Sequence, residues 1–92
     1  MHDATDANPG ALKFPCLFPL KVMGLNNDGL YPAVHAILKK HVPDLDGAAF
    51  TSRRSSSGKY LSITATFTAQ SRDQLNAIYQ ELHDHELVLM ML

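Results

Sequence analysis

Alternating apolar and polar side chains predict strands in three parts of the chain. Residues 17–24, LFPLKVMG, place Phe18, Leu20 and Val22 on one side, as in a strand that buries one face. Residues 49–54 and 60–69 are two further strand candidates, and the longer one sets apolar residues against hydroxyl side chains. Pro19 has no N–H group, so we expect that end of the first strand to lie at a sheet edge or ahead of the paired region.

Apolar residues at helical spacing predict two helices. The first begins after Asp28, a candidate N-cap, and ends before Pro43, because the residue ahead of a proline avoids helical geometry. The second begins at Ser71, which forms a capping box with Gln74. The predicted buried stripes are Leu30, Val34, Ile37, Leu38 and Val42 in the first helix and Leu75, Ile78, Tyr79 and Leu82 in the second.

The order of these elements predicts the fold class. Residues 86–92, ELVLMML, form a short apolar run that we interpret as the last strand. The order β-α-β-β-α-β is typical of the ferredoxin-like α+β fold, a four-stranded antiparallel sheet with two helices on one face. We expect one such domain at residues 13–92 and a disordered lead at residues 1–12. The other sheet face stays open to solvent, a ligand or a second copy of the chain.

Charge and cysteine content narrow the function classes. The 92-residue chain has a formal net charge of −1 and a single cysteine, Cys16. It therefore has neither an overall positive field for nucleic acid nor an internal disulfide. The N-terminal residues lack the basic start of a signal peptide, and the apolar stretch FPCLFPL is too short to span a bilayer. We expect a cytoplasmic protein with no membrane association.

The run SSSGKY at residues 55–60 raises the question of a phosphate-binding loop. A Walker loop needs an earlier glycine, a Ser or Thr after the lysine and a following helix. Here the first glycine is missing, Tyr60 follows Lys59, and a strand comes next. We therefore predict a hairpin turn in which Gly58 supplies a positive φ. Arg53, Arg54 and Lys59 form a small cationic patch beside it.

Other reactive residues do not assemble into a recognisable catalytic motif. His83 and His85 in HDHE have the spacing of a zinc or nickel pair, but no third or fourth ligand is evident nearby, and histidines at a helix C-terminus explain the pattern as well. His35 and His41 are interpreted as surface residues of the first helix. Cys16 has no cationic or histidine neighbour to activate it. We expect no enzyme activity, no cofactor and no metal.

Five stretches in order carry a family resemblance. They are KVMG at residues 21–24, the helix end HVP at 41–43, SSSGKYLSIT at 55–64, LNAIYQEL at 75–82 and the closing LVLMML. From Phe14 onward the chain resembles the YbeD-like family of small, uncharacterised bacterial proteins. The resemblance implies a ferredoxin-like fold similar to that of ACT regulatory domains and a proposed association with lipoate metabolism. It implies no catalytic residue.

Two candidate sites follow from this reading. By analogy with ACT domains, which bind small metabolites, the loop after the first strand is a ligand candidate, because N–H groups at a helix start favour an anion. Capping of the helix is the simpler role for that loop. The loop residues are Gly24, Asn26, Asn27 and Asp28, and the second candidate, a surface on the open sheet face, comprises Lys21, Arg53, Lys59, Tyr60 and Thr64.

The sequence therefore predicts a non-enzymatic, ACT-like regulatory or adaptor module. Its partner is an unknown protein or small metabolite, and it is a candidate homodimer. One alternative is single-stranded RNA binding on the open sheet face, which is disfavoured by the charge of −1 and by the presence of one suitable aromatic residue, Tyr60. The other is an adaptor that binds a protein by strand addition at a sheet edge.

Overall fold

A four-stranded antiparallel sheet with two helices on one face makes up the described part of the chain. The computed structural model describes residues 12–92. Residues 1–11 of the predicted lead lie outside the described residues. The elements are β1 (Cys16–Leu25), α1 (Leu30–His41), a 3₁₀ turn (Gly47–Ala49), β2 (Phe50–Arg54), β3 (Tyr60–Ala69), α2 (Arg72–Asp84) and β4 (Val88–Met91). The predicted βαββαβ order is confirmed.

The strands are ordered β2-β3-β1-β4, so β1 and β3 form the centre of the sheet. They pair antiparallel along their full length, from Cys16 opposite Ala69 to Leu25 opposite Tyr60. β4 is shorter and pairs with residues 22–24 of β1. The part of β1 that contains Pro19 has no strand on its second side among the described residues, as the missing N–H group predicted.

One apolar core lies between the helices and the sheet. It takes the inward positions of the strands and one stripe of each helix, as the two periodicities predicted. The buried residues are Leu20, Val22, Leu30, Val34, Leu38, Val42, Leu45, Phe50, Ile63, Ala65, Phe67, Ala69, Leu75, Ile78 and Leu82. No polar or charged residue in the described range is fully buried.

The helix caps follow the sequence prediction at α2 but not at α1. Ser71 caps α2 by accepting a hydrogen bond from the Gln74 N–H at 3.1 Å. The α1 cap predicted at Asp28 is wrong, because Gly29 is the N-cap and no side chain caps it. The side chain of Asn27 bonds the backbone just before the helix, where its Oδ1 accepts a hydrogen bond from the Gly29 N–H at 2.7 Å. Neither helix is long and apolar enough to cross a membrane.

The serine-rich segment is a hairpin turn, as predicted. Gly58 has a φ of +76°, a conformation that glycine adopts without a steric penalty. The Ser55 N–H donates to the Tyr60 carbonyl at 2.9 Å, and the Gly58 N–H donates to the Ser55 carbonyl at 2.9 Å. These bonds close the connection between β2 and β3.

Gly24 is buried at the point where β1, α1 and the turn before β4 meet. A Cβ atom at this position would lie 2.3 Å from the backbone oxygen of Leu87 and 2.9 Å from Cδ2 of Leu30. The pairing of β1 with β4 also changes register between Met23 and Gly24. Glycine is therefore required here for close backbone approach.

We predict that Gly24→Ala lowers the free energy of unfolding by about 2–4 kcal/mol, because the main chain of Leu87 must move away from the new methyl group. Gly47→Ala is the matched control. A Cβ there meets nothing within 4 Å, so the change should stay within about 1 kcal/mol. Urea unfolding of both variants measures the difference. Equal stabilities would contradict the assigned packing role of Gly24.

A charged cluster joins the end of α1 to α2. Nζ of Lys40 lies 3.1 Å from Oε1 of Glu81, and Nε2 of His41 donates to Oε2 of the same carboxylate. Hydrogen bonds from His41 and then from Lys40 hold the pKa of Glu81 below its ordinary value. The side chain of His41 is only 19% exposed. His41, interpreted as a surface residue, is therefore half-buried where the end of α1 packs against α2.

We predict that this cluster makes folding stability depend on acid pH. Because the pKa of Glu81 is lower in the folded state, its contribution is complete above the unfolded pKa and is lost as pH falls through the folded value. Glu81→Gln should therefore lower the melting temperature at pH 7 and reduce its fall below roughly pH 4.

Melting curves between pH 3 and pH 7 measure this effect. Glu86→Gln is the control, because Glu86 is exposed. This substitution changes the net charge by the same amount as Glu81→Gln. A Glu81→Gln profile parallel to that of the native chain would contradict the assigned cluster.

Candidate functional site

The loop after β1 uses its polar groups to hold the chain together. The Asn26 Nδ2 group donates to the Gly58 carbonyl at 2.9 Å, and Asn27 Oδ1 bonds the Gly29 N–H. The Leu30 N–H donates to the Asn27 carbonyl at 3.0 Å. Asp28 is exposed, and Gly24 lies inside the strand rather than in the loop. These contacts suit a structural connection between β1, α1 and the hairpin.

The open sheet face brings together the second set of predicted residues. Cross-strand neighbours on one face form rows across the sheet. One row places Thr51 opposite Thr64 and Thr64 opposite Lys21. Lys21 continues the row to Leu92 through reciprocal backbone hydrogen bonds of 3.1 and 2.8 Å.

The next row lies one pleat further along the same face. It contains Arg53, Ser62, Met23 and Met90 in order across the four strands. The sequence did not reveal which strands are neighbours in the sheet. In the structure β2 lies beside β3, and β4 lies beside β1. Lys21, Arg53 and Thr64, distant in sequence, are therefore close on one surface.

Two shallow depressions lie along the β2 side of this face. One, of about 360 Å³, is lined by Lys21, Thr51, Ser52, Arg53, Ser62 and Thr64. The other, of about 350 Å³, is lined by Met23, Arg53, Arg54, Ser55, Ser56, Tyr60 and Ser62. Arg53 and Ser62 belong to both. Nζ of Lys59 lies 5.5 Å from the centre of the Tyr60 ring, so all five predicted face residues lie in or beside these depressions.

The β4 side of the same face is apolar. Met90 is 51% exposed and Leu92 is 67% exposed, next to Met23 and Lys21 in the two rows. Sequence reasoning missed this exposure, because a wholly apolar run is typical of a strand that is buried on both faces. The exposure could have been inferred from the predicted ferredoxin-like topology, because that topology places the last strand at an edge of the sheet.

The open face is thus divided laterally. Cations and hydroxyl groups lie over β2 and β3, and thioether and aliphatic groups lie over the β4 side. Lys21 stands at the boundary between the two halves. Such a surface can bind an anionic group at one end of a ligand and an apolar group at the other.

The candidate metal and thiol residues stay apart. No group of three or more His, Cys, Asp or Glu side chains within residues 12–92 is arranged to hold a metal ion. Nδ1 of His83 lies 3.6 Å from Asp84, and Nδ1 of His85 accepts from the Leu87 N–H at 3.2 Å. His85 therefore bonds the turn that precedes β4, and the strand begins at Val88 rather than at Glu86. Cys16 is half-buried at the start of β1.

A hollow of about 430 Å³ lies beyond the end of α1, but its main polar groups are already bonded. His41 contacts Glu81, Gln74 donates to the His41 carbonyl at 3.0 Å, and Asp46 accepts from the Ala48 N–H at 2.8 Å. Three of the side chains that line this hollow are therefore engaged in contacts within the fold.

Solved structures share the fold. The solution structure of protein HP0495 from H. pylori has a TM-score of 0.69 with 18% identity, covering 100% of this chain and 97% of that one. The uncharacterised protein TM1266 from Thermotoga maritima has a TM-score of 0.62 with 13% identity, covering 83% and 92% of the two chains. These similarities show the fold alone.

Sequence relatives identify the family. A family profile described as "Protein of unknown function (DUF493)" matches residues 10–92. A UPF0250 protein of Nitrosomonas europaea is 44% identical over 81 residues, 88% of this chain and 93% of that protein. A UPF0250 protein of Pseudomonas paraeruginosa is 39% identical over the full length of both chains. The resemblance to YbeD-like proteins is confirmed, and the chain belongs to the DUF493 (UPF0250) family of small, uncharacterised bacterial proteins.

Proposed function

We propose that this protein is a non-catalytic, ACT-like regulatory or adaptor module that works through the open face of its sheet. The observation that carries the proposal is the row of Thr51, Thr64 and Lys21 beside Arg53 on a face that neither α1 nor α2 covers. This face presents cations, hydroxyl groups and thioethers. A binding surface for an anion suits these groups better than acid–base catalysis does.

The ligand class follows from the lateral division of the face. The side chains of Lys21 and Arg53 carry hydrogen-bond donors and no acceptor atoms, and an arginine fork matches a carboxylate. Ser62 and Thr64 supply hydroxyl groups between them, while Met23 and Met90 offer an apolar surface on the other side. We infer a small carboxylic acid with an apolar chain. Octanoate and lipoate have this chemistry and agree with the association with lipoate metabolism that the YbeD-like resemblance implies.

The loop after β1 is left out of the proposed site. Its two asparagines already bond the backbone at Gly58 and Gly29. Pro32 also removes an N–H group from the first turn of α1, which weakens that helix end as an anion site.

We predict that octanoate or lipoate raises the melting temperature and shifts the amide resonances of β1, β2 and β3 around the two depressions. At 100 times the dissociation constant the rise should exceed about 10 °C. Lys21→Gln should weaken binding roughly 10- to 100-fold, because one charge-assisted hydrogen bond is lost. Nuclear magnetic resonance titration measures the affinity and the location together.

Lys13→Gln is the matched control, since Lys13 is an exposed lysine ahead of β1, and Asp28→Asn tests the loop. Both should bind the carboxylates as the native chain does. Absence of binding at tens of millimolar, or equal loss in Lys13→Gln, would contradict the proposed ligand. Binding of short single-stranded RNA that falls steeply with added salt would instead favour the nucleic-acid alternative.

A further inference from the structure

β4 is an edge strand with an unpaired outer side in the described structure. Leu92 exchanges both of its backbone hydrogen bonds with Lys21 of β1. Because backbone groups alternate in direction along an antiparallel strand, the N–H and C=O of Met91 point away from β1. Leu89, which has no partner in the register between β1 and β4, is 57% exposed. A free edge of this kind is a template for another strand.

The side chains of the edge strand itself carry no charge that would repel a second copy. Residues 88–92, VLMML, are all apolar. The adjoining hollow on the helix side, of about 390 Å³, is lined by Asn76, Tyr79, Gln80, His83 and Met91. The strand has no lysine, arginine or carboxylate side chain. The carboxylate beside the hollow, that of Asp84, accepts a hydrogen bond from Gln80 Nε2 at 3.0 Å and lies 3.6 Å from Nδ1 of His83. In a two-fold interface the edge strand contacts the same strand of the second copy. An uncharged strand therefore avoids repulsion between like charges.

We propose that two copies of this chain associate through their β4 edges, antiparallel about a two-fold axis at Met91. The outward backbone groups of the two Met91 residues then bond each other. Met90 of each copy lies beside Leu92 of its partner on the open face. The two sheets become one eight-stranded sheet, with the apolar halves of the two faces adjoining and the cationic halves at the outer ends.

The expected buried area makes this a weak dimer. Leu89, Met90 and Leu92 are each exposed by half or more. At about 100 Å² of exposed side chain for each, two copies bury at most roughly 600 Å² of apolar area there, because Met90 and Leu92 keep one side on the open sheet face. Paired backbone and the flanks of α2 bring the interface towards the range of transient complexes, below about 1,200 Å². We therefore expect a transient dimer that dissociates on dilution.

Sedimentation equilibrium of the ligand-free chain over a range of concentrations tests the proposal. We expect a monomer–dimer equilibrium, with the Met91 amide becoming protected from hydrogen exchange as concentration rises. Met90→Lys should raise the dissociation constant more than about 10-fold, because each copy then buries a lysine beside the partner's apolar strand. Leu17→Lys is the control: Leu17 is 72% exposed, on the same face but far from β4.

A melting curve of each variant at low concentration shows that both stay folded. A monomer at 1 mM, a dimer insensitive to Met90→Lys, or equal loss in Leu17→Lys would overturn the β4 interface. A Met91 amide that exchanges equally fast at all concentrations would also overturn it. The dimer experiments contain no ligand, so a negative result in them does not contradict the carboxylate proposal. A negative carboxylate titration likewise does not contradict the β4 interface.

Discussion

The antiparallel pairing of β1 with β3 is the constraint on which the rest of the structure depends. Its register places Leu20 beside Ala65 and Val22 beside Ile63 under the helices, and Lys21 beside Thr64 on the opposite face. Because side chains alternate along a strand, a slip of one residue in either strand would move its whole set to the other face. The core and the candidate site are therefore two results of one register.

The short contact between β1 and β4 explains why the open face is divided. The backbone of Leu87 lies against Gly24, near the end of β1. The chain joins the sheet after this contact, and β4 has only four residues, Val88–Met91. A small domain has limited interior volume for its apolar residues. The helices cover the inward side of the sheet, so Met90 and Leu92 remain on the open face, opposite the side that carries Arg53.

Sequence periodicity predicted the elements well because periodicity is a local property of the chain. The alternation in β3, the stripe of α2, the Ser71 cap and the positive φ of Gly58 are all set by near neighbours. The role of Gly24 was missed because it depends on Leu87, far away in the sequence. Asp28 failed as a cap because Asn27 already bonds the helix start, and two short polar residues in succession leave that choice undecided.

The grouping of Lys21, Arg53 and Thr64 shows the same limit for the site. Each residue was identifiable as outward-facing from its own strand, but their proximity requires the strand order. That order also sets the two proposed activities on different strands, because the anion-binding groups lie on β1, β2 and β3 and the pairing edge is β4. The two surfaces meet along β1, where Lys21 contacts Leu92 through the backbone. A ligand whose apolar chain reaches Met90 would therefore touch the dimer interface, so its binding and the association of two copies would be thermodynamically linked.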